Sequence, residues 1–166
     1  MKEAINPFSL LFLCTHNSAR SILGEIAAST ASGGRFVGYS AGASPSGVVH
    51  PFAHEIALRE GFPTERLRSK SWDVFADQDA PAMDIVITVC DGAAGEVCPV
   101  WVGQPVVGHW GFPDPSRVAG GDEERRRAFS DVFVGLKQRV EALAGLPLES
   151  FGPARMRRAI AELEDI

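Results

Sequence analysis

The chain has three cysteines, one tyrosine and no apolar run near the ~20 residues a membrane helix requires. An odd number of thiols does not close a static disulfide framework, so catalysis or redox chemistry accounts for them better. The N-terminus lacks a basic segment followed by an apolar stretch and a small-residue cleavage site. The expected location is therefore the cytoplasm, where thiols stay reduced. A basic stripe is also missing. The net charge is -5, and the only compact basic cluster, Arg125-Arg126-Arg127, follows Asp122-Glu-Glu124 at a helix start and reads as a solvated face. Nucleic acid and membrane are thus not expected as partners. No repeat, low-complexity tract or linker interrupts the 166 residues, so one catalytic domain over 1–166 is expected.

What is present is alternation. Short apolar runs at residues 8–13, 36–40, 85–89 and 106–110 read as strands buried on both faces. Helical patterns fall around them. Ile22, Leu23, Ile26 and Ala27 share one face, and Phe52, Ile56 and Ala57 share another after His50-Pro51. From Asp122 to about Ala144, Phe129, Val132, Phe133, Leu136, Val140 and Leu143 recur at three- and four-residue steps. Met156, Ile160 and Leu163 suggest a last helix after Gly152-Pro153. The fold class is α/β: a three-layer arrangement with a four-stranded parallel sheet and helices on both faces. Its functional loops belong at the carboxyl ends of the strands.

One of those loops carries most of the chemistry. Cys14-Thr-His-Asn-Ser-Ala-Arg20-Ser21 lies between the first strand and the first helix. A helix N-terminus offers unpaired N–H groups and the positive end of a dipole, which suit a tetrahedral oxyanion. The same potential is expected to lower the pKa of Cys14 and make its thiolate the nucleophile. Arg20 can grip two oxygens of the anion at once. Thr15, His16, Asn17, Ser18, Ala19, Arg20 and Ser21 are the oxyanion-binding candidates. Asn17 tolerates left-handed backbone angles. Ser21 either donates a hydrogen bond to the thiolate or caps the helix.

Asp114, between two prolines in His109-Trp-Gly-Phe-Pro-Asp-Pro115, is placed either to protonate a leaving oxygen or simply to make a turn. Cys90 and Cys98 flank a loop with two glycines and two alanines, which suits a redox pair. Two incidental thiols remain an alternative. So does a metal site, although no second close-spaced ligand pair accompanies them. His16, His50 and His54 read as surface or loop residues, since a thiolate at a helix start needs no histidine base.

At these residues the chain resembles a known family. The loop from Cys14 to Ser21 looks like the phosphate-binding loop of low-molecular-weight protein tyrosine phosphatases. Cys90, Cys98 and the 109–115 segment look like arsenate reductases built on that fold. The likeness runs from about Leu10 to Leu143 and includes Tyr39-Ser-Ala-Gly42. It implies that Cys14 attacks arsenate, Arg20 and the loop amides hold its oxygens, and Asp114 protonates the departing oxygen. Cys90 then attacks Cys14, releasing arsenite, and Cys98 takes over the disulfide by thiol exchange. A thioredoxin, a glutaredoxin or a low-molecular-weight thiol such as glutathione or mycothiol would restore the thiols. No tightly bound cofactor is implied. Some relatives hold a potassium ion beside the loop, and Asn17, Glu25, Ser40 and Asp73 match its oxygen donors.

Two departures accompany the likeness. His16 stands where the family usually has glycine, and the stretch from Cys90 to Cys98 is one residue longer than in thioredoxin-linked members. The rival reading is a phosphatase that hydrolyses phosphate monoesters through a Cys14 phosphoenzyme. Against it, Ser116-Arg117 follows Asp114-Pro115 where such phosphatases tend to carry aromatics, and Tyr39, the sole tyrosine, lies in a strand. A non-catalytic oxyanion-binding domain would leave the two further cysteines without purpose.

Overall fold

The computed structural model describes residues 6–90 and 103–166. Four parallel strands form one sheet: β1 (Phe8–Cys14), β2 (Phe36–Gly42), β3 (Ile85–Thr88) and β4 (Val106–His109). Their spatial order is β2-β1-β3-β4. Each lies within two residues of its expected position, but only the central β1 and β3 are buried on both faces; β2 and β4 are the sheet's edges, and β4 is part-exposed, contrary to expectation. The helices are α1 (Arg20–Ala31), α2 (Pro51–Arg59), α3 (Asp122–Ala144) and α4 (Pro153–Glu162). Among the described residues, no helix is long and apolar enough to cross a membrane.

Register fixes which side chains meet. Leu10 and Phe12 of β1 lie level with Gly38 and Ser40 of β2 and with Ile85 and Ile87 of β3. That face receives α1, whose Gly24 sits directly on the Phe12 ring. Further along, Gly108 of β4 sits under Ile160 of α4. Trp110 is fully buried, and its indole N–H donates to the Ile160 carbonyl at 2.8 Å. The polar handle of the tryptophan therefore anchors the last helix to the sheet. On the other face of β2, a 3₁₀ turn (Trp72–Phe75) brings Phe75 edge-on to Tyr39 at 5.6 Å between ring centres.

The strand order places the site. β1 connects outward to β2 on one side, and β3 connects outward to β4 on the other. The crevice between the carboxyl ends of β1 and β3 is thus the switch point at which such sheets bind ligands. Cys14 closes β1 and Cys90 follows β3, so both thiols stand at that crevice.

Gly24 gives a test of the packing. Alanine there gains about 1 kcal/mol of helix propensity, but its Cβ would overlap the immobile Phe12 ring, and overpacking costs about 1–3 kcal/mol. Urea unfolding of Gly24→Ala is therefore expected to show a loss of about 1 kcal/mol. A gain would place α1 farther from the sheet than described here.

Candidate active site

The loop of residues 14–20 is shaped by what its carbonyls do. The Cys14, Thr15, His16 and Ser18 carbonyls accept from the amides of Ala43, Ser44, Ser46 and His50 at 2.8–3.2 Å. His16 also accepts from the Ser69 hydroxyl at 3.1 Å. Among the described residues, no amide of 15–20 has a backbone acceptor. The carbonyls are committed outward, so the N–H groups remain for an oxyanion, at the start of α1. Gly42 makes this close approach feasible. A Cβ there would lie 2.7 Å from the Thr15 carbonyl and 2.9 Å from the Asn17 amide nitrogen.

Asn17 takes the left-handed conformation expected of it, with φ 46°, and is completely buried. The Lys70 amide donates to its Oδ1 at 2.9 Å, and its Nδ2 donates to Ser21 Oγ at 2.7 Å. An amide nitrogen cannot accept, so this pairing fixes both the orientation of Asn17 and the direction of the next bond. The Ser21 hydroxyl, having accepted from Asn17, lies 2.8 Å from Cys14 Sγ and has its own proton to give to the sulfur once the thiol ionises. No side chain caps α1. Ser21 therefore serves the thiol and not the helix end.

Cys14 is only 3% exposed, and so is Cys90. Cys90 Sγ lies 3.6 Å from the Thr15 hydroxyl, next in the loop to Cys14, and its side chain acts on the Cys14 thiol. This corrects one expectation. The Cys14 thiol is not lowered but pushed well above its ordinary range, first by the Cys90 side chain and then by burial, against the opposing bonds from Ser21. The expectation of a lowered thiol weighed the helix start alone and not the burial of Cys14 or the charge competition with the Cys90 thiol that the resemblance brings to it. The two sulfurs compete for one negative charge.

Arg20 is held from the opposite wall. Its Nη1 donates to the Phe112 carbonyl at 3.0 Å, and its Nη2 is 3.8 Å from Asp114 Oδ2. Asp114 makes the turn, and its second carboxylate oxygen faces the pocket. Its Oδ1 accepts from the Ser116 amide at 3.0 Å and the Ser116 hydroxyl at 2.7 Å, capping a short 3₁₀ turn. Its Oδ2 faces Arg20 and, at 3.6 Å, the largely exposed Arg117. Burial works against its ionisation. The Ser116 bonds and then the two arginine charges outweigh burial and hold the carboxyl below the usual range. The surrounding pocket is lined by Thr15, His16, Arg20, Cys90, Phe112 and Asp114, among others.

Other candidates fall differently. His16 is exposed at the pocket mouth. His50 is half-buried and not a surface residue: its Nδ1 caps α2 by accepting from the Phe52 amide at 3.1 Å, and its ring packs 4.5 Å from Phe129. Cys98 lies outside the described residues. Glu25 and Ser40 adjoin each other, with the Ser40 hydroxyl donating to Glu25 Oε1 at 2.6 Å, whereas Asp73 is exposed. Lys70 was missed. In Arg68-Ser-Lys-Ser71 it reads as one more polar loop residue, and no spacing in the sequence marks its place beneath the loop.

The comparisons agree with this geometry. The profile of the low-molecular-weight phosphotyrosine protein phosphatases matches residues 9–158. An arsenate reductase of Halalkalibacterium halodurans is 34% identical over 140 residues, which cover 84% of this chain and 97% of that protein. A glutaredoxin arsenate reductase of Synechocystis is 31% identical over 134 residues, 81% of this chain and 94% of its own. A solved arsenate reductase in the phosphate-binding state superposes with a TM-score of 0.61 at 29% identity, covering 82% of this chain and 96% of its own.

The charge competition at Cys14 is testable without substrate. Alkylation of the Cys14 peptide, followed by mass spectrometry across pH, should have a midpoint above the ~8.5 of a free thiol. Cys90→Ala should move the midpoint down and Ser21→Ala should move it up, following the causes of the shift. An unchanged midpoint in Cys90→Ala would contradict the action of Cys90 on that thiol.

Proposed function

The chain belongs to the low-molecular-weight phosphotyrosine protein phosphatase family, and from that premise we propose that it reduces arsenate to arsenite with electrons from its own thiols. The relatives named as arsenate reductases support this reading. The observation that carries it is Cys90, a second buried thiol at the end of the neighbouring strand, 3.6 Å from the Thr15 hydroxyl of the loop and acting on the Cys14 thiol. A phosphatase resolves its phosphoenzyme with water and has no use for a second buried thiol. That thiol even works against it, by raising the proton affinity of Cys14.

Arsenate enters as a dianion and is held by Arg20 and the loop amides. The proton on Cys14 passes to an arsenate oxygen as Sγ attacks arsenic. A dianion against Arg20 offsets part of what keeps Asp114 ionised, the arginine charge that acts beside the Ser116 bonds, and repels its carboxylate, so Asp114 gains a proton on binding and delivers it to the departing oxygen. Water leaves, and arsenic(V) is bonded to Cys14 Sγ. Cys90 then attacks Cys14 Sγ. The S–As bond breaks, its electron pair stays on arsenic, and arsenite leaves as arsenic(III) with a Cys14–Cys90 disulfide behind it. Cys98 attacks Cys90 and frees Cys14. A thioredoxin- or glutaredoxin-class dithiol or a small thiol reduces the final disulfide.

Cys90→Ser separates the two activities that the family supports. It is expected to abolish steady-state arsenite formation while sparing hydrolysis of a small aryl phosphate. Arsenite formation at the native rate would refute the relay, and loss of both activities would show that Cys90 is needed for the shape of the loop.

A further inference from the structure

The four oxygens that resemble a potassium site do not fit a potassium ion as they stand. Asn17 Oδ1 is engaged by the Lys70 amide at 2.9 Å, and Asp73 is exposed. The other two face an ammonium. Lys70 Nζ lies 3.5 Å from Ser40 Oγ and 3.8 Å from Glu25 Oε1, and it donates to the Arg68 carbonyl at 2.9 Å. A potassium ion bound by Glu25 and Ser40 would have to stand where that ammonium is.

We propose that Lys70 is a positioning residue whose tethered ammonium takes the place of a potassium ion beneath the oxyanion loop. The charge is needed there because Glu25 is only 7% exposed, and a buried carboxylate left without an opposite charge is strongly destabilising. Glu25 lies in α1, the helix whose first turn carries Arg20 and Ser21. Balancing Glu25 thus holds the base of the anion site. The backbone of Lys70 acts on the same loop independently. Its amide holds Asn17, and its carbonyl accepts from the Gly42 amide at 2.9 Å. Shortening the side chain therefore leaves the backbone links in place. A cleft of about 370 Å³, lined by Glu25, Tyr39, Glu65, Arg66, Lys70 and Phe75 among others, opens onto the ammonium and would admit a hydrated ion if the side chain were cut back.

The test is binding of inorganic phosphate, measured by calorimetry in potassium chloride and in tetramethylammonium chloride at equal ionic strength, with melting temperatures recorded in both. The native protein should bind phosphate equally in the two salts. Lys70→Ser should bind about tenfold more weakly in tetramethylammonium, a loss of about 1.4 kcal/mol, and recover most of it in potassium. Lys70→Met keeps the stem that blocks the ion, so it should be weakened in both salts. A purely structural role for Lys70 would leave the serine and methionine variants alike. Potassium dependence in the native protein, or none in Lys70→Ser, would overturn the proposal. The native comparison stands even if both variants fail to fold. Phosphate binding needs no arsenate chemistry, so this result and the reductase reading can fail separately.

Discussion

The Lys70 amide lies at the head of a chain of donors that ends on the nucleophile: Lys70 N–H to Asn17, Asn17 to Ser21, and Ser21 to Cys14. The first two bonds have fixed directions, because only one end of the Asn17 amide can receive the Lys70 proton, and they leave the Ser21 proton available to the sulfur. The chain is buried, where a broken link leaves an unsatisfied polar group costing about 1–3 kcal/mol. It also requires Asn17 in the left-handed region and Gly42 without a side chain beneath the loop. Loop shape and thiol chemistry therefore share the same residues. A change that loosens Asn17 alters the oxyanion cradle and the acidity of Cys14 together.

Around that chain the site balances charges that make sense only with an anion bound. Arg20 and Arg117 face Asp114, while Cys14 holds its proton more tightly than an isolated thiol would. At neutral pH the resting site thus has an ionised acid and a protonated nucleophile, the reverse of the states needed for attack. In the proposed reaction a doubly charged oxyanion would correct both, taking a proton from the thiol and raising the proton affinity of the aspartate. The substrate is in this sense part of its own activation, and water alone gains little from the poised thiol. Among the described residues, Lys70 and Glu25 place a further balanced pair behind the loop.

Much of this was legible in the residues. The four strands stand out because each is a short apolar run, and α3 because six apolar residues repeat at helical steps without interruption. The loop is legible because a cysteine and an arginine at that spacing, between a strand and a helix, have few other uses. The rest required three dimensions. Sequence left Ser21 between two roles, and only the bond from Asn17 decides it. His50 read as a surface or loop residue, and it does lie in the loop before α2, but a histidine before proline says nothing of the Phe129 ring it packs on. Lys70 is 50 residues from Arg20 in the chain, and its place depends on a backbone pairing between the 68–71 segment and β2 that no local pattern announces. The expected acidic Cys14 failed because a helix start alone does not count the burial of that thiol or its competition with Cys90.

The central claim is that Cys90 receives the arsenic-bound sulfur and turns an oxyanion site into a reductase. Its most direct test is to mix the fully reduced protein with stoichiometric arsenate, quench with acid and map disulfides by mass spectrometry of peptides. The account predicts a Cys14–Cys90 disulfide at early times, passing to Cys90–Cys98, with one arsenite released per protein. If arsenate leaves all three cysteines reduced, Cys90 is not a resolving thiol and the site is that of a phosphatase.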